Sequence, residues 1–139
     1  MTETVEIKIN LSSDYWDDRY PGARVYINNH LIFDGLISQP EEINWHGELA
    51  EGEQDIVIEM YNKQDGDTVL DENNNILKDV VLNIDNIEID EIELEQLLWI
   101  NSEYTSAVGK INECVNLGWN GFWKLSFSVP TYLWFLENL

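Results

Sequence analysis

"QDIVIEMYN", residues 54–62, sets Ile56, Ile58 and Met60 on one side and Asp55, Val57, Glu59 and Tyr61 on the other. A period of two is the spacing of an extended strand with one face buried. The same alternation runs through "VEIKI" at 5–9 and "ARVYIN" at 23–28. It returns over most of "VVLNIDNIEIDEIEL" at 80–94, where one long bent strand and two strands joined at Asn86 would look alike. The tail "NGFWKLSFSVPTYLWFLENL" alternates again, with Asn120-Gly121 as a turn pair opening a strand and Pro130 marking its end or an edge position. "YPG" at 20–22, "INNHLIF" at 27–33 and "LAEGEQ" at 49–54 carry turn residues between the strands, and Asn28-Asn29 suits a tight hairpin because Asn tolerates positive φ. The one candidate helix is "LEQLLWINSEY" at 94–104, a stretch that reads equally as a strand with a loop. Eight or so short strands without a βαβ rhythm predict an all-β fold, an antiparallel β-sandwich of jelly-roll type.

A chain of 139 residues suits a single domain, 1–139, large enough for a real core. Its formal net charge is −20, from 27 acidic and seven basic residues, yet 44% of it is hydrophobic, so it is not a disordered acidic tail. The negative field repels phosphate backbones and anionic bilayers, which argues against nucleic-acid and membrane partners and favours a cationic partner or a divalent ion. The plainer reading is solubility. No basic stretch followed by an apolar run opens the chain, and no apolar run approaches the length of a spanning helix. Cys114 is the lone cysteine and reads as a small buried hydrophobe.

Residues 65–90 gather eight aspartates and glutamates between strand-like segments. Calcium takes six to eight hard oxygen ligands, so carboxylates converging from loops are the chemistry it needs. Asp65, Asp67 and Asp71 are the candidate side-chain ligands, with Asn62 and Asp85 available across the sandwich end. Asp71, Asn73 and Asn75 follow the first ligand positions of an EF-hand loop, but Ile76 stands in place of its glycine and Leu82 in place of its glutamate. "DENNN" therefore also reads as an exposed hairpin loop. Catalysis finds little support: His30 and His46 are the only histidines and no nucleophile pairs with either, so no enzyme is expected. Trp16 in "SSDYWDDRYPG" and Trp45 in "NWHGE" read as loop aromatics that pack within the domain, meet a protein partner, or offer a surface on which a sugar ring could stack. Trp119, Trp123, Tyr132, Trp134 and Phe135 load the C-terminal segment, 119–139, for the core or for a subunit interface; Trp99 reads the same way.

The succession "ARVYINNHLIFDG", "LAEGEQDIVIEMYN", "DGDTV" and "LNIDNIEID" resembles the calcium-dependent xylan-binding modules over residues 23–92. The resemblance implies a β-sandwich of carbohydrate-binding-module type, a calcium ion held at one end of it, and a polysaccharide whose hydroxyls meet that ion. Two places depart from the pattern. Lys63 follows Asn62 where that family has Asp, and "LKDVVLN" replaces the family's Asp-Arg-Asn entry after an extra "LDENNNI". The ending "NLGWNGFWKLSFSVPTYLWFLENL" is similar instead to small structural proteins of tailed phages. That likeness implies a non-enzymatic virion decoration protein, assembled in the host cytoplasm and partnered by larger virion proteins or by copies of itself. The alternative is a working calcium-dependent glycan binder.

Overall fold

The computed structural model describes residues 1–95, 97, 101–107 and 109–138. Strands β1 (Thr2–Asp14), β2 (Gly22–Ile27), β3 (His30–Leu36), β4 (Glu41–Ala50) and β5 (Gly52–Tyr61) form the first half. A small hairpin, β6 (Val69–Leu70) and β7 (Ile76–Lys78), precedes β8 (Val81–Ile89) and β9 (Ile92–Glu93). Then come β10 (Ser102–Ser106), β11 (Gly109–Asn112), β12 (Asn116–Leu117), β13 (Gly121–Val129) and helix α1 (Thr131–Asn138).

Two antiparallel sheets face each other: β12-β8-β1-β4, with β9 added to β8, and β11-β10-β13-β5-β2-β3. Alternation decides what lies between them. Val5, Ile7, Ile9 and Leu11 of β1 meet Ile56, Ile58 and Met60 of β5 and Trp123, Leu125, Phe127 and Val129 of β13 in one core cluster. Along β8 the inward set is Leu82, Ile84, Ile87 and Ile89, which breaks strict alternation. The register explains the break, since Ile84 faces Leu11 and Asn86 faces Asn10, leaving Asp85 as the extra residue of a β-bulge. The strand thus runs through Asn86 without turning. Its turn comes at Asp90-Glu91, both at positive φ, as are Asn28 and Asn29 in the β2–β3 hairpin.

The structure revises two expectations and decides part of a third. "EEINWHGELA" is strand β4, not loop: Ile43, Trp45, Gly47 and Leu49 share its inner face, and the glycine masks the period. Residues 102–106, at the end of the stretch that reads as a helix or as a strand with a loop, form β10, while residues 96 and 98–100, including Trp99, lie outside the described residues. The helix over Thr131–Asn138 is unannounced by spacing because apolar residues surround it. Thr131, Trp134 and Phe135, at i, i+3 and i+4, are buried against the sandwich, whereas Tyr132, Leu133 and Leu136 point outward.

Pairing registers fix which loops meet. Asp14 lies opposite Val81, Tyr61 opposite Gly22, Met60 opposite Gly121, and Asn83 opposite Asn116. Residues 15–21, 62–80 and 118–120 therefore crowd one end of the sandwich. The Asn28-Asn29 turn, the Asp90-Glu91 turn and α1 occupy the other.

Candidate functional site

"YWDDRY", 15–20, closes a tight turn in which Trp16 and Arg19 form an isolated antiparallel bridge and Asp17 takes positive φ. The turn is tied to the loop after β5 through Asp67. The Trp16 indole donates to the Asp67 carbonyl at 2.7 Å, and Arg19 Nη1 donates to Asp67 Oδ1 at 2.7 Å. Asp67 Oδ2 accepts the Gln64 amide at 2.8 Å, so a carboxylate only 3% exposed has charge-assisted and backbone partners. Asn62, at φ 74°, donates from Nδ2 to the Tyr20 carbonyl at 3.0 Å. Between these walls lies an open cleft of about 450 Å³ lined by Asp17, Asp18, Arg19, Tyr20, Asn62, Gln64 and Asp67. Tyr15 packs edge-on to Tyr20 at 4.7 Å, and burial followed by the nearby Asp18 charge pushes the Tyr20 hydroxyl up, keeping it a neutral donor.

Behind the cleft sits a second tie. The Lys63 side chain is 2% exposed; its ammonium donates to Asp79 Oδ1 at 2.7 Å and to the Gly118 carbonyl at 2.5 Å. The same Asp79 oxygen accepts Thr68 Oγ1 at 2.6 Å and the Val80 amide at 2.8 Å. Burial raises the Asp79 carboxyl, but the hydrogen bonds from Lys63, Thr68 and Val80 and the ammonium charge outweigh it, leaving it below its ordinary 3.8. Asn120 exchanges two hydrogen bonds with the Lys63 backbone, and the Trp119 ring centre lies 5.5 Å from the ammonium.

The expected metal ligands do not converge. Asn62 and Asp67 meet in the cleft, with Asp67 turned toward Arg19. Asp65 is exposed beside them in the same loop. Asp71 closes its own turn in the β6–β7 hairpin, and backbone hydrogen bonds from Asn75 and Asn73 hold its carboxyl below the usual range. Asp85 is exposed at the bulge of β8, away from the end loops. Among the described residues no three or more His, Cys, Asp or Glu side chains are grouped to hold a metal ion.

The aromatics divide likewise. Trp16 edges the end loops, but Arg19 lies 4.2 Å and Lys78 4.7 Å from its ring centre, so a sugar stacking there must displace a cation. Trp45 is half-buried on the inner face of the edge strand β4, its ring where a Cβ on Gly47 would stand at 2.7 Å. Trp123, Trp134 and Phe135 belong to the core, Trp119 is half-buried over Lys63, and Tyr132 is 62% exposed.

One network escaped the sequence reading. On the outer face of the six-stranded sheet, Arg24 stacks 3.9 Å over the Tyr61 ring, Tyr61 donates to Asp34 at 2.6 Å, and Tyr26 donates to Glu59 at 3.2 Å. Pairing of β2 with β3 and β5 brings these residues together, which spacing in one strand does not show.

The antiparallel sandwich has the fold seen in solved carbohydrate-binding modules. Two solved structures carry the likeness. One is vCBM60 in complex with galactobiose, 11% identical, covering 88% of this chain and 97% of that one with a TM-score of 0.54. The other is a selenomethionine form of vCBM60, from work on circular permutation linking two families of calcium-dependent carbohydrate-binding modules; it is 12% identical, covers 87% and 89%, and has a TM-score of 0.56. No protein-family model matches the chain, and no curated protein matches it.

Proposed function

We propose that the protein is a non-enzymatic carbohydrate-binding module that takes an uncharged oligosaccharide at its loop end. The observation that carries this reading is the cleft itself. Asp17 and Asp18 offer acceptors and Tyr20 a ring and a hydroxyl from the 15–20 turn, Asn62 and Gln64 offer amides from the loop after β5, and the Arg19–Asp67 pair holds the two segments together. Sugars are recognised by such planar polar groups around an aromatic surface, and a prearranged site avoids the ordering cost of assembling one on binding. The sandwich neighbour solved with galactobiose supports the class of ligand. Galactobiose and a panel of neutral oligosaccharides, titrated calorimetrically, provide the test. Asp18→Ala and Tyr20→Ala should each weaken binding about tenfold or more, the loss of a polar contact or a ring being on the order of 1.4 kcal/mol. Binding that ignores both variants, or no binding across the panel, would sink the reading.

A second reading is a decoration protein of a virion, docked on a larger protein or on its own copies. Its support is the outer face of α1, where Tyr132, Leu133 and Leu136 are 62%, 43% and 67% exposed. Sedimentation of the purified protein alone, and with Leu136→Ser, tests the self-association branch. A monomer at all concentrations removes copies of itself from the list of partners.

A further inference from the structure

We infer that the loop end is cross-linked by the protein's own cations, with the Lys63 ammonium at its centre, in place of a bound divalent ion. The inference concerns how the end is held together, so it stands even if the glycan reading fails.

The residues present do not fit a calcium ion. Calcium asks for six to eight oxygens at about 2.3–2.6 Å, several of them from carboxylates. Here the two most enclosed carboxylates of the end loops, Asp67 and Asp79, each already face a cationic side chain at 2.7 Å. A divalent ion reaching Asp79 would meet the Lys63 ammonium at close range, and two positive charges at contact in a partly buried site repel strongly.

The lysine instead reproduces what an ion would do. An ammonium withdrawn from water needs oxygens to replace its hydration, or it would not remain charged. Lys63 finds them in a carboxylate and a backbone carbonyl, the same hard donors calcium favours. Its contacts come from separate stretches of chain. Lys63 follows β5, Asp79 with Thr68 closes the base of the β6–β7 hairpin, and Gly118 leads into β13. One charged atom therefore fastens the acidic 68–80 excursion and the 118–120 turn onto the sandwich. Arg19 repeats the device one layer out, joining 15–20 to the loop at Asp67. A tethered cation has no dissociation constant, so loop order does not depend on the ion content of the medium.

The test begins with EDTA-stripped wild-type protein, calorimetric titration with calcium chloride into the millimolar range, and melting curves in both conditions. The expected results are no saturable heat and the same Tm with calcium or EDTA. A saturable site accompanied by a rise in Tm overturns the inference. Lys63→Met and Asp79→Asn supply the second arm, the Asn variant being the milder should Met fail to fold. Both should lower Tm by several degrees equally in calcium and in EDTA; an unchanged Tm for Asp79→Asn would also overturn the inference. A glycan titration keeps the two readings apart. Glycan bound only with calcium counts against the built-in cation alone, and no glycan bound in either condition counts against the glycan site alone.

Discussion

Asp67→Asn separates a structural carboxylate from a metal ligand. The side chain is 4% exposed and its two oxygens are divided, Oδ1 to Arg19 and Oδ2 to the Gln64 amide, at 2.7 and 2.8 Å. An asparagine keeps the volume and one accepting oxygen, but its amide nitrogen must then face a donor, either the guanidinium or the Gln64 N–H. One charge-assisted hydrogen bond is lost, worth about 1.5–3 kcal/mol. Arg19 is 42% exposed and can be rehydrated, so the Coulombic part of the pair is screened and the lower half of that range, about 2 kcal/mol, is the expected cost. At this chain length each kcal/mol moves Tm by roughly 3–5 °C, giving a drop of about 6–10 °C. Urea unfolding followed by tryptophan fluorescence measures it, with an unchanged denaturant slope showing that the native state is still compact. The loss should be the same in EDTA and in calcium. A variant as stable as wild type in EDTA, but lacking a stabilisation that calcium confers on wild type, would make Asp67 a metal ligand and refute this account.

Glycine substitutions test the packing that frames the loop end. A Cβ on Gly121 would stand 2.4 Å from the Thr105 carbonyl oxygen, a backbone atom between paired strands, so Gly121→Ala should cost at least about 3 kcal/mol in urea unfolding. A Cβ on Gly22 meets the Tyr61 ring at 2.4 Å, a side chain that can swing away, and Gly22→Ala should cost about 1–2 kcal/mol, releasing the Tyr61–Asp34 hydrogen bond. Because the folded Asp79 carboxyl lies below its ordinary 3.8, its contribution is complete above that value and fades as pH falls below it. Stability measured down an acid series should therefore fall less steeply in Asp79→Asn than in wild type. Trp134→Ala removes a 6% exposed ring that packs on Phe127 and Phe135, and should cost about 3–5 kcal/mol, whereas Tyr132→Ser on the open side of the same helix should shift Tm by a degree or less.

The sandwich was legible wherever one face is apolar and the other polar, as in β1, β2, β5 and β13. Legibility failed where a small or aromatic residue blurs the period. Gly47 hides β4, and the apolar outer residues of α1 hide the Thr131–Trp134–Phe135 stripe. The bulge at Asp85 shows the opposite case, a broken alternation that was visible in the sequence and whose cause lay in pairing with β1. At the loop end, the meeting of Trp16 with the 62–71 loop follows from topology, since both segments leave strands that end on the same side. Which carboxylate pairs with which cation does not follow from spacing. Lys63 was visible only as a departure from a resembling pattern, and nothing in "YNKQDGD" says that its ammonium is buried on Asp79, 16 residues away. Charge pairing across loops is decided by three-dimensional proximity, and a stretch rich in acids looks the same whether its partners are metal, lysine or water.

For the glycan site proposed above, the distribution of positive charge narrows the ligand further. All seven basic residues are engaged: Lys8 with Glu42 and Glu88, Arg19 with Asp67, Arg24 with Asp34 and Glu59, Lys63 with Asp79, Lys110 with Glu103, and Lys124 with Asp55, while Lys78 covers Trp16. Against 27 acidic residues, that leaves the surface negative, with each lysine and arginine side chain already facing an acid or an aromatic ring. Repulsion at long range is screened within about 8 Å at physiological salt, so the selection acts in the cleft, where Asp17 and Asp18 line the wall. A glycan carrying uronic acids must bring its carboxylates beside theirs, and at contact in a surface site each such pair opposes binding by about 1–4 kcal/mol before screening. A neutral oligosaccharide meets no such term and can use the same carboxylates as acceptors for its hydroxyls. Affinity for neutral glycans should accordingly change little between low and physiological salt, and a uronic-acid counterpart should bind more weakly, gaining as salt rises. Calorimetry on a matched neutral and acidic pair measures both trends. Tighter binding of the acidic member at low salt would mean that a cation, Arg19 foremost, controls the cleft, and would overturn the selection argued from Asp17 and Asp18.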